Sequence, residues 1–377
     1  MQITFVDDPR DLTTALAAVD ADIVGVDVER ADAPRYFRRA ALIQVGTFDH
    51  VVLVDTVAIP QVPLLHDFLQ ERTSILHAIH NDLEPLRAAG VGLNGVHDTA
   101  VAAAMLGLPI GLDPLLQDVL GVALSPDKER FQRADWEQRP LPDEMVAYAA
   151  GDVIHLPALW LSLTDRLADS GRQAWYDEEI ASVITNEGED TRDWTRTKGL
   201  GRLDGRARAI LRHLWHARER LARADDVAPN RLLREATMID LAERPADTAD
   251  ALTRRNQRRG RPTSEHAEEL FAAQQAGLEG PEEPRERNGR WTERERAAYD
   301  GMRTARAAVA KQVGLDPGVL CPSRALWAPA RGEPTSPQEL CDLAGLKDWQ
   351  AEVLAAPLWQ AYTDAMQNDP VEVEQHE

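Results

Sequence analysis

Five side chains that could carry out chemistry lie in three short segments of the sequence. They are Asp27 and Glu29 in VGVDVER, Asp82 in HAIHNDLEPL, and Tyr148 with Asp152 in YAAGDVIHL. Four of the five are acids, and carboxylates that lie close together repel one another unless cations neutralise them. Mg²⁺ and Mn²⁺ prefer oxygen ligands, and two such ions about 3.5–4 Å apart can cleave a phosphodiester bond. The residue types therefore predict metal-assisted phosphodiester chemistry, provided that the fold brings them together.

The sequence around each acid predicts an element that would hold its side chain in place. The run DIVGVDV is apolar and β-branched, which predicts a buried strand. Asp27 and Glu29 are two residues apart and so share one face of that strand. Tyr148 and Asp152 are four residues apart in a helical segment and share a helix face. Asp82 follows the apolar run SILHAI and begins another helical segment. Each fragment alone is more often plain surface or core, so the prediction depends on their combination.

In this order, the three segments resemble the motifs of the DEDD superfamily of 3′-to-5′ exonucleases, and within it the ribonuclease D family. Asp27 and Glu29 match the first motif, and Asp82, with His77 before it, matches the second. The third motif matches as Tyr148 followed four residues later by Asp152, the spacing of the tyrosine branch of the superfamily.

The resemblance implies a reaction and a role for each residue. Asp27 would bridge two divalent ions, Mg²⁺ or Mn²⁺, and Glu29 and Asp152 would complete the site of the ion that activates water. Asp82 would help to hold the second ion, and Tyr148 would orient the attacking water. The implied substrate is RNA with a free 3′ end, such as tRNA precursors or other small RNAs, and the implied products are nucleoside 5′-monophosphates.

Two other functions remain open at this stage. The same pair of ions could cleave single-stranded DNA from its 3′ end, because no single residue in the sequence identifies a reader of the 2′-hydroxyl group. The chain could also be a non-catalytic scaffold that binds nucleic acid and keeps the fold. The presence of all four acids and the tyrosine argues against the scaffold.

The alternation of strands and helices predicts the fold class of the amino-terminal part. Strands are predicted at QITFV, DIVGVDV, ALIQVGT, VVLVD and SILHAI. Three consecutive strands between helices predict a mixed sheet. We therefore expect residues 1–187 to form a five-stranded α/β domain, and the resemblance implies the ribonuclease H-like (DnaQ-like) architecture.

The rest of the chain is predicted to be helical and to contain a weak repeat. VAPNRLLREATMIDLAERPADTADAL resembles GLDPGVLCPSRALWAPARGEPTSPQEL, and a long helix precedes each. The spacing resembles that of the HRDC domain, a small helical module. We expect HRDC domains at residues 200–275 and, in a degenerate copy, at 291–368. The Gly/Pro-rich and charged segment 276–290 is predicted to be a flexible linker.

Charge is distributed unevenly along the acidic chain, whose net charge is −21. Residues 1–200 contain 16 Lys and Arg against 33 Asp and Glu, whereas residues 201–261 carry a net charge of +6. A basic segment attracts phosphates. The sharpest basic patch is RRNQRRGR, which is expected either to bind RNA or to be a solvated loop. Its arginines are Arg254, Arg255, Arg258, Arg259 and Arg261.

The composition also bears on the cellular compartment of the protein and on its partners. The sequence has no Gly-Lys dipeptide, which argues against a P-loop and against ATP as a partner. No apolar run reaches the ~18–20 residues that span a bilayer, so no membrane partner is expected. With two cysteines and no zinc-binding spacing, the chain is expected to be cytoplasmic, reduced and free of structural zinc. It is also expected to be a monomer.

Overall fold

The structure is a computed structural model of the chain. It describes residues 2–31, 34–123, 128–131, 134–185, 192–256, 265–284 and 291–367. They form an α/β domain, then a first helical domain that begins after residue 200, and a second helical domain that begins at residue 291. The α/β and all-helical classes predicted from the sequence are confirmed.

Within the described residues, six strands form one mixed sheet in the order β1-β4-β3-β2-β5-β6. The strands are β1 (Gln2–Val6), β2 (Ile23–Arg30), β3 (Ala40–Gly46), β4 (His50–Asp55), β5 (Thr73–Leu76) and β6 (Val96–Asp98). β2–β3–β4 is an antiparallel meander, and β1, β5 and β6 join it in parallel. The sequence predicted five strands. The sixth, β6, has three residues, too few for an alternating apolar pattern to appear.

Nine helices of the described residues surround this sheet. They are α1 (Pro9–Ala17), α2 (Pro63–Gln70), α3 (Leu83–Ala88), α4 (Thr99–Leu106), α5 (Leu112–Leu120), α6 (Lys128–Phe131), α7 (Asp143–Ile154), α8 (Leu156–Asp169) and α9 (Gln173–Thr185). α7 crosses the sheet at β2, where Gly25 leaves room for it. A Cβ atom on Gly25 would lie 2.3 Å from the carbonyl oxygen of Val153. The glycine therefore lets α7 approach β2 closely.

One stretch, Asp143–Asp169, is long and apolar enough to cross a membrane by length and composition alone. It comprises α7 and α8, which pack on the sheet of the α/β domain. The α8 residues Leu159, Leu163 and Leu167 are fully buried there. This packing is that of core helices, which pass the same length test.

The first helical domain has its own apolar core. Its helices are α10 (Gly205–Ala224), α11 (Pro229–Leu232), α12 (Glu235–Glu243), α13 (Ala249–Asn256) and α14 (Ala267–Glu279). The long α10 packs along α14 and α12 and buries Leu211, Leu214 and Ala222. Helix α14 extends through Glu279, four residues into the segment predicted to be a linker.

The second helical domain packs directly on the α/β domain, and their apolar cores are continuous. Its helices are α15 (Glu293–Val313), α16 (Pro317–Leu320), α17 (Trp327–Arg331), α18 (Pro337–Ala344) and α19 (Asp348–Gln367). Trp349 stacks on Trp175 of α9, with ring centroids 5.1 Å apart. The Glu178 carboxylate accepts hydrogen bonds from the amides of Asp348 and Trp349, at 2.8 and 3.0 Å. The Lys347 ammonium lies 2.6 Å from Glu179.

Candidate active site

Three carboxylates meet where α7 crosses β2. Oxygen atoms of Asp27, Glu29 and Asp152 all lie within 4.8 Å of one another. Gly25, Asp27 and Glu29 occupy alternate positions of β2 and so point to the same face of the strand. Gly25 faces α7, so the two acids lie on the side of α7 as well. A set of carboxylate oxygens this close fits Mg²⁺ or Mn²⁺, which bind oxygen at about 2.0–2.2 Å.

The pKa of Glu29 is raised well above its usual value. Burial is the largest cause, and the negative charges of Asp27, Asp152 and Asp82 follow. A bound cation would remove both penalties, because it replaces lost solvation and neutralises the repulsion. The electrostatics of the site therefore fit the metal that the residue types predict.

Asp82 lies at the start of α3 and is 5% exposed. Its pKa is raised to about 9, first by burial and then by the charge of Asp27, while the arginines Arg30 and Arg38 oppose the shift. Asp82 therefore interacts electrostatically with the three-carboxylate cluster although it stands outside the tightest group. This placement suits an acid that holds a second ion beside the first.

The turn that carries Asp82 is held by a buried acid that the sequence analysis did not single out. Asp98, at the end of β6, accepts hydrogen bonds from the amides of Ala78 and Ile79, at 3.1 and 2.8 Å. It also caps α4 through the amide of Ala100 at 2.7 Å. Ala78 adopts a left-handed conformation with φ of 63°. Asp98 thus fixes an unusual turn at Ala78, four residues before Asp82. The sequence signal for Asp98 was its N-cap position before TAVAAAML.

Tyr148 and Asp152 lie one turn apart on α7, as their spacing predicts. The Tyr148 hydroxyl donates a hydrogen bond to Asp152. Burial, the charges of Asp152 and Glu29, and this hydrogen bond raise the pKa of Tyr148 above its usual value. The ring packs near Phe131 and Trp136, with centroids 5.1 and 6.2 Å away. Tyr148 therefore stays protonated at neutral pH and presents a hydroxyl whose position is fixed by packing.

A second unpredicted polar residue, Gln44, lies directly opposite Asp27 in the β2–β3 ladder. It is fully buried, and neither atom of its amide has a hydrogen-bond partner among the residues that the structure describes. Cross-strand neighbours share one face of a sheet and have Cβ atoms about 4.5–5.5 Å apart. Gln44 thus places an amide beside Asp27.

The predicted arginine patch is only partly within the described residues. Arg254 and Arg255 are exposed on α13, and Arg258, Arg259 and Arg261 lie outside the described residues. Arg255 donates to the carbonyl oxygen of Arg244 and lies 3.7 Å from Asp240, both within the same helical domain. The structure does not bring this patch together with the acids of the α/β domain through any described contact.

Comparisons with known proteins identify the relatives of this chain. A family model described as 3′-5′ exonuclease matches residues 3–168, and the HRDC domain model matches residues 207–273 and 295–362. The chain is 31% identical to ribonuclease D of Pseudomonas paraeruginosa, over 94% of this chain and 93% of that protein. It is 30% identical to ribonuclease D of Jannaschia sp., over 88% of each chain.

Solved structures share the whole fold at lower identity. The crystal structure of Escherichia coli RNase D superposes with a TM-score of 0.76 and 22% identity, covering 97% of this chain and 99% of that one. A structure of a protein from Bifidobacterium adolescentis gives a TM-score of 0.73 at 23% identity, over 96% of this chain and 97% of that one. Three findings lead to one conclusion: the shared fold, the two HRDC matches, and the 30–31% identity to ribonucleases D over most of the chain. The chain belongs to the ribonuclease D family of 3′-to-5′ exonucleases.

Proposed function

We propose that the chain is a metal-dependent exoribonuclease that removes nucleoside 5′-monophosphates one at a time from RNA 3′ ends. The observation that carries the proposal is the cluster of Asp27, Glu29 and Asp152, with oxygens within 4.8 Å of one another, beside the Tyr148 hydroxyl. When bound, two Mg²⁺ or Mn²⁺ ions would lower the pKa of the attacking water and stabilise negative charge on the leaving oxygen.

The side chains of the site divide this work among themselves. Asp27 would contact both ions, Glu29 and Asp152 the ion on the side of the water, and Asp82 the other ion. Tyr148 keeps its proton at neutral pH, because its pKa is raised. It therefore orients the attacking water by hydrogen bonding and does not take a proton from it.

The proposed substrates are tRNA precursors and other small structured RNAs, and the proposed place of action is the cytoplasm. The related Escherichia coli protein is an exoribonuclease involved in structured RNA processing. Both cysteines of this chain, Cys321 and Cys341, are buried free thiols, as suits a reducing compartment.

The proposal is tested with purified protein and 5′-end-labelled RNA and DNA oligomers of the same sequence, with and without EDTA. We expect a ladder that shortens from the 3′ end of RNA and disappears on chelation. Internal cleavage, or an undiminished ladder in EDTA, would contradict the proposal. Faster degradation of the DNA oligomer would favour single-stranded DNA as the substrate.

Substitutions at the cluster provide the second test. Asp152→Asn and Asp27→Ala should each lower activity to below about 1% of wild type, because each removes a ligand on which several kcal/mol of transition-state stabilisation depend. Asp118→Asn, an exposed acid that lies 3.7 Å from Arg166 on another helix, is the control and should be fully active. Full turnover by a cluster variant would show that the site lies elsewhere.

A further inference from the structure

A cleft of ≈ 640 Å³ in the α/β domain has four arginines among its lining residues. It begins at Ala31 and Glu84, two residues beyond Glu29 and Asp82 respectively, and follows α3 as far as Ala89. Its volume lies within the usual range for ligand pockets, about 300–1,000 Å³. The chain segments that line the cleft are therefore direct continuations of those that carry Glu29 and Asp82.

The charge of the cleft is opposite to that of the domain that forms it. Arg35, Arg38, Arg39 and Arg87 line it, against the two acids Glu84 and Glu137. Residues 1–200 as a whole carry a net charge of −17, which repels a polyanion at long range. A local excess of arginine beside the site is where a phosphate backbone would be attracted.

The ion pairs of these arginines differ in strength. Arg35 is bidentate to Glu137, at 2.7 and 2.9 Å, which fixes its guanidinium. Arg38 lies 3.6 Å from Glu84, and both side chains are more than 40% exposed. Such a surface pair contributes little to stability, so exchange of the carboxylate for a phosphate costs little.

One wall of the cleft carries an aromatic ring. Phe37 is 38% exposed, its ring contacts Tyr36 edge to face at 5.2 Å, and the Arg223 guanidinium of α10 lies 5.8 Å from it. The Phe37 amide donates to Asp226 of the first helical domain at 3.1 Å. The ring is thus held by both domains while part of its surface faces solvent. Aromatic rings beside basic grooves stack nucleobases without regard to sequence.

We propose that this cleft binds the RNA nucleotides immediately 5′ of the scissile one, with arginines on their phosphates and Phe37 against a base. The inference rests on the proposed exoribonuclease function. The first helical domain enters this site indirectly, because Asp226 pairs with Arg39 and the Ala228 amide donates to the carbonyl oxygen of Pro34 at 3.0 Å. It positions the segment that carries Phe37, Arg38 and Arg39.

The test compares a dinucleotide, which has no phosphate upstream of the scissile one, with a ten-nucleotide RNA. Arg87→Ala and Phe37→Ala should each raise KM for the longer RNA about fivefold with kcat unchanged. Arg87→Ala should not change kcat/KM for the dinucleotide, because the phosphate that Arg87 would contact is missing from it. Arg303→Ala is the control, because it removes the same charge at an exposed site on α15, where Arg303 lies 3.5 Å from Asp300. This variant should behave as wild type.

Binding supplies a readout that does not depend on turnover. With Mg²⁺ present and Asp152→Asn in every protein, the anisotropy of a labelled ten-nucleotide RNA gives its affinity at several salt concentrations. Arg87→Ala should lower the slope of log affinity against log salt by about 0.7, the value for one phosphate contact on a single strand. Phe37→Ala should weaken binding without changing that slope.

The outcomes separate the cleft from the function itself. If the wild-type protein degrades no RNA, the proposed function fails. If it degrades RNA and the Arg87 and Phe37 variants bind as wild type, the cleft proposal alone fails. Equal losses for Arg87→Ala on the dinucleotide and the longer RNA would place Arg87 in the chemical step and overturn the cleft proposal. The cleft proposal would also be overturned if the slope of log affinity against log salt fell only in the double variant Arg254→Ala/Arg255→Ala.

Discussion

The hydroxyl of Tyr148 is the part of the site that can be removed with the least disturbance of its surroundings. Its ring is held between Phe131 and Trp136, and a phenylalanine would keep those contacts. Tyr148→Phe should therefore lower kcat about 10²-fold by loss of the orienting hydrogen bond, with little change in the free energy of unfolding. Single-turnover rates and Mg²⁺ affinity by calorimetry check this. A comparable loss of Mg²⁺ affinity would make Tyr148 a determinant of metal binding instead.

The raised pKa values of Asp82 and Glu29 predict how the metal-free protein responds to pH. Between the usual value of 3.8 and about 9, native Asp82 holds a proton that the unfolded chain has released. The native state then binds more protons, so the free energy of unfolding falls as pH rises through this window. Glu29 acts in the same direction. His97, His155 and His213 have pKa values lowered by burial and act in the opposite direction below their ordinary value of 6.5. In EDTA, Tm should thus decrease from about pH 7 to about pH 8.

Mg²⁺ should reverse this trend, since it competes with protons for the same oxygens. Added Mg²⁺ should raise Tm more at pH 8 than at pH 6, and binding should release protons into the buffer. Asp82→Asn should flatten the Tm profile of the metal-free protein. A wild-type profile in EDTA that is flat or rises across this window would contradict the assignment of these acids as a repelling cluster.

At the scale of elements, a buried ion pair fixes the segment that leads into α7. Arg139 donates to Asp55 at 2.6 Å, to the carbonyl oxygens of Trp136 and Gln138 at 2.8 and 2.7 Å, and to that of Ala41 at 3.0 Å. Asp55 is 2% exposed at the end of β4. The pair therefore ties β3 and β4 to the start of the helix that carries Tyr148 and Asp152.

Arg139→Ala should cost about 2–4 kcal/mol, because it leaves the buried Asp55 carboxylate without its cation. It should also lower kcat, since α7 loses its anchor on the sheet. Arg166→Ala is the control: its pair with Asp118 is 3.7 Å long and exposed on both sides. That variant should change stability by less than about 0.5 kcal/mol. Urea unfolding and single-turnover rates distinguish the two, and equal stability of both variants would refute the anchoring role.

Local periodicity predicted the elements of the site better than it predicted their partners. Asp27 and Glu29 on a strand, and Tyr148 and Asp152 on a helix, follow from spacing alone. The contact of α7 with β2 at Gly25 could not be predicted, since it joins residues more than 120 positions apart. Gln44 gave no signal either, because a single polar residue in an apolar strand is informative only once its neighbour across the sheet is known.

At the scale of the whole molecule, the two helical domains contact different parts of the α/β domain. The first reaches the segment that lines the arginine cleft, through Asp226 and Ala228. The second stacks Trp349 on Trp175 and shares the apolar core of the α/β domain. The sequence predicted two similar helical modules. Their different positions could not be predicted from it, because the acids and aromatic residues that join the domains belong to no repeat.

The contact of the second helical domain depends on close backbone approach at Gly107, the C-cap of α4. Its φ is +70°, and a Cβ atom there would lie 2.0 Å from the carbonyl oxygen of Gly314, which ends α15. Gly121, the C-cap of α5, has nearly the same φ, +69°, but a Cβ atom there would meet nothing within 4 Å. Substitution of either glycine by alanine would thus strain the backbone to the same extent. Only the alanine at position 107 would also clash with the second helical domain.

Gly121→Ala should therefore cost only the left-handed conformation, about 1–2 kcal/mol. Gly107→Ala should cost this and also displace the second helical domain, because the Gly314 carbonyl is backbone and cannot rotate away. We expect calorimetry to show one unfolding transition for Gly121→Ala and two for Gly107→Ala, as the second helical domain unfolds separately. Limited proteolysis should cut Gly107→Ala first near the junction with α15. A single transition shared by both variants, with equal Tm, would show that close packing at Gly107 does not hold the domains together.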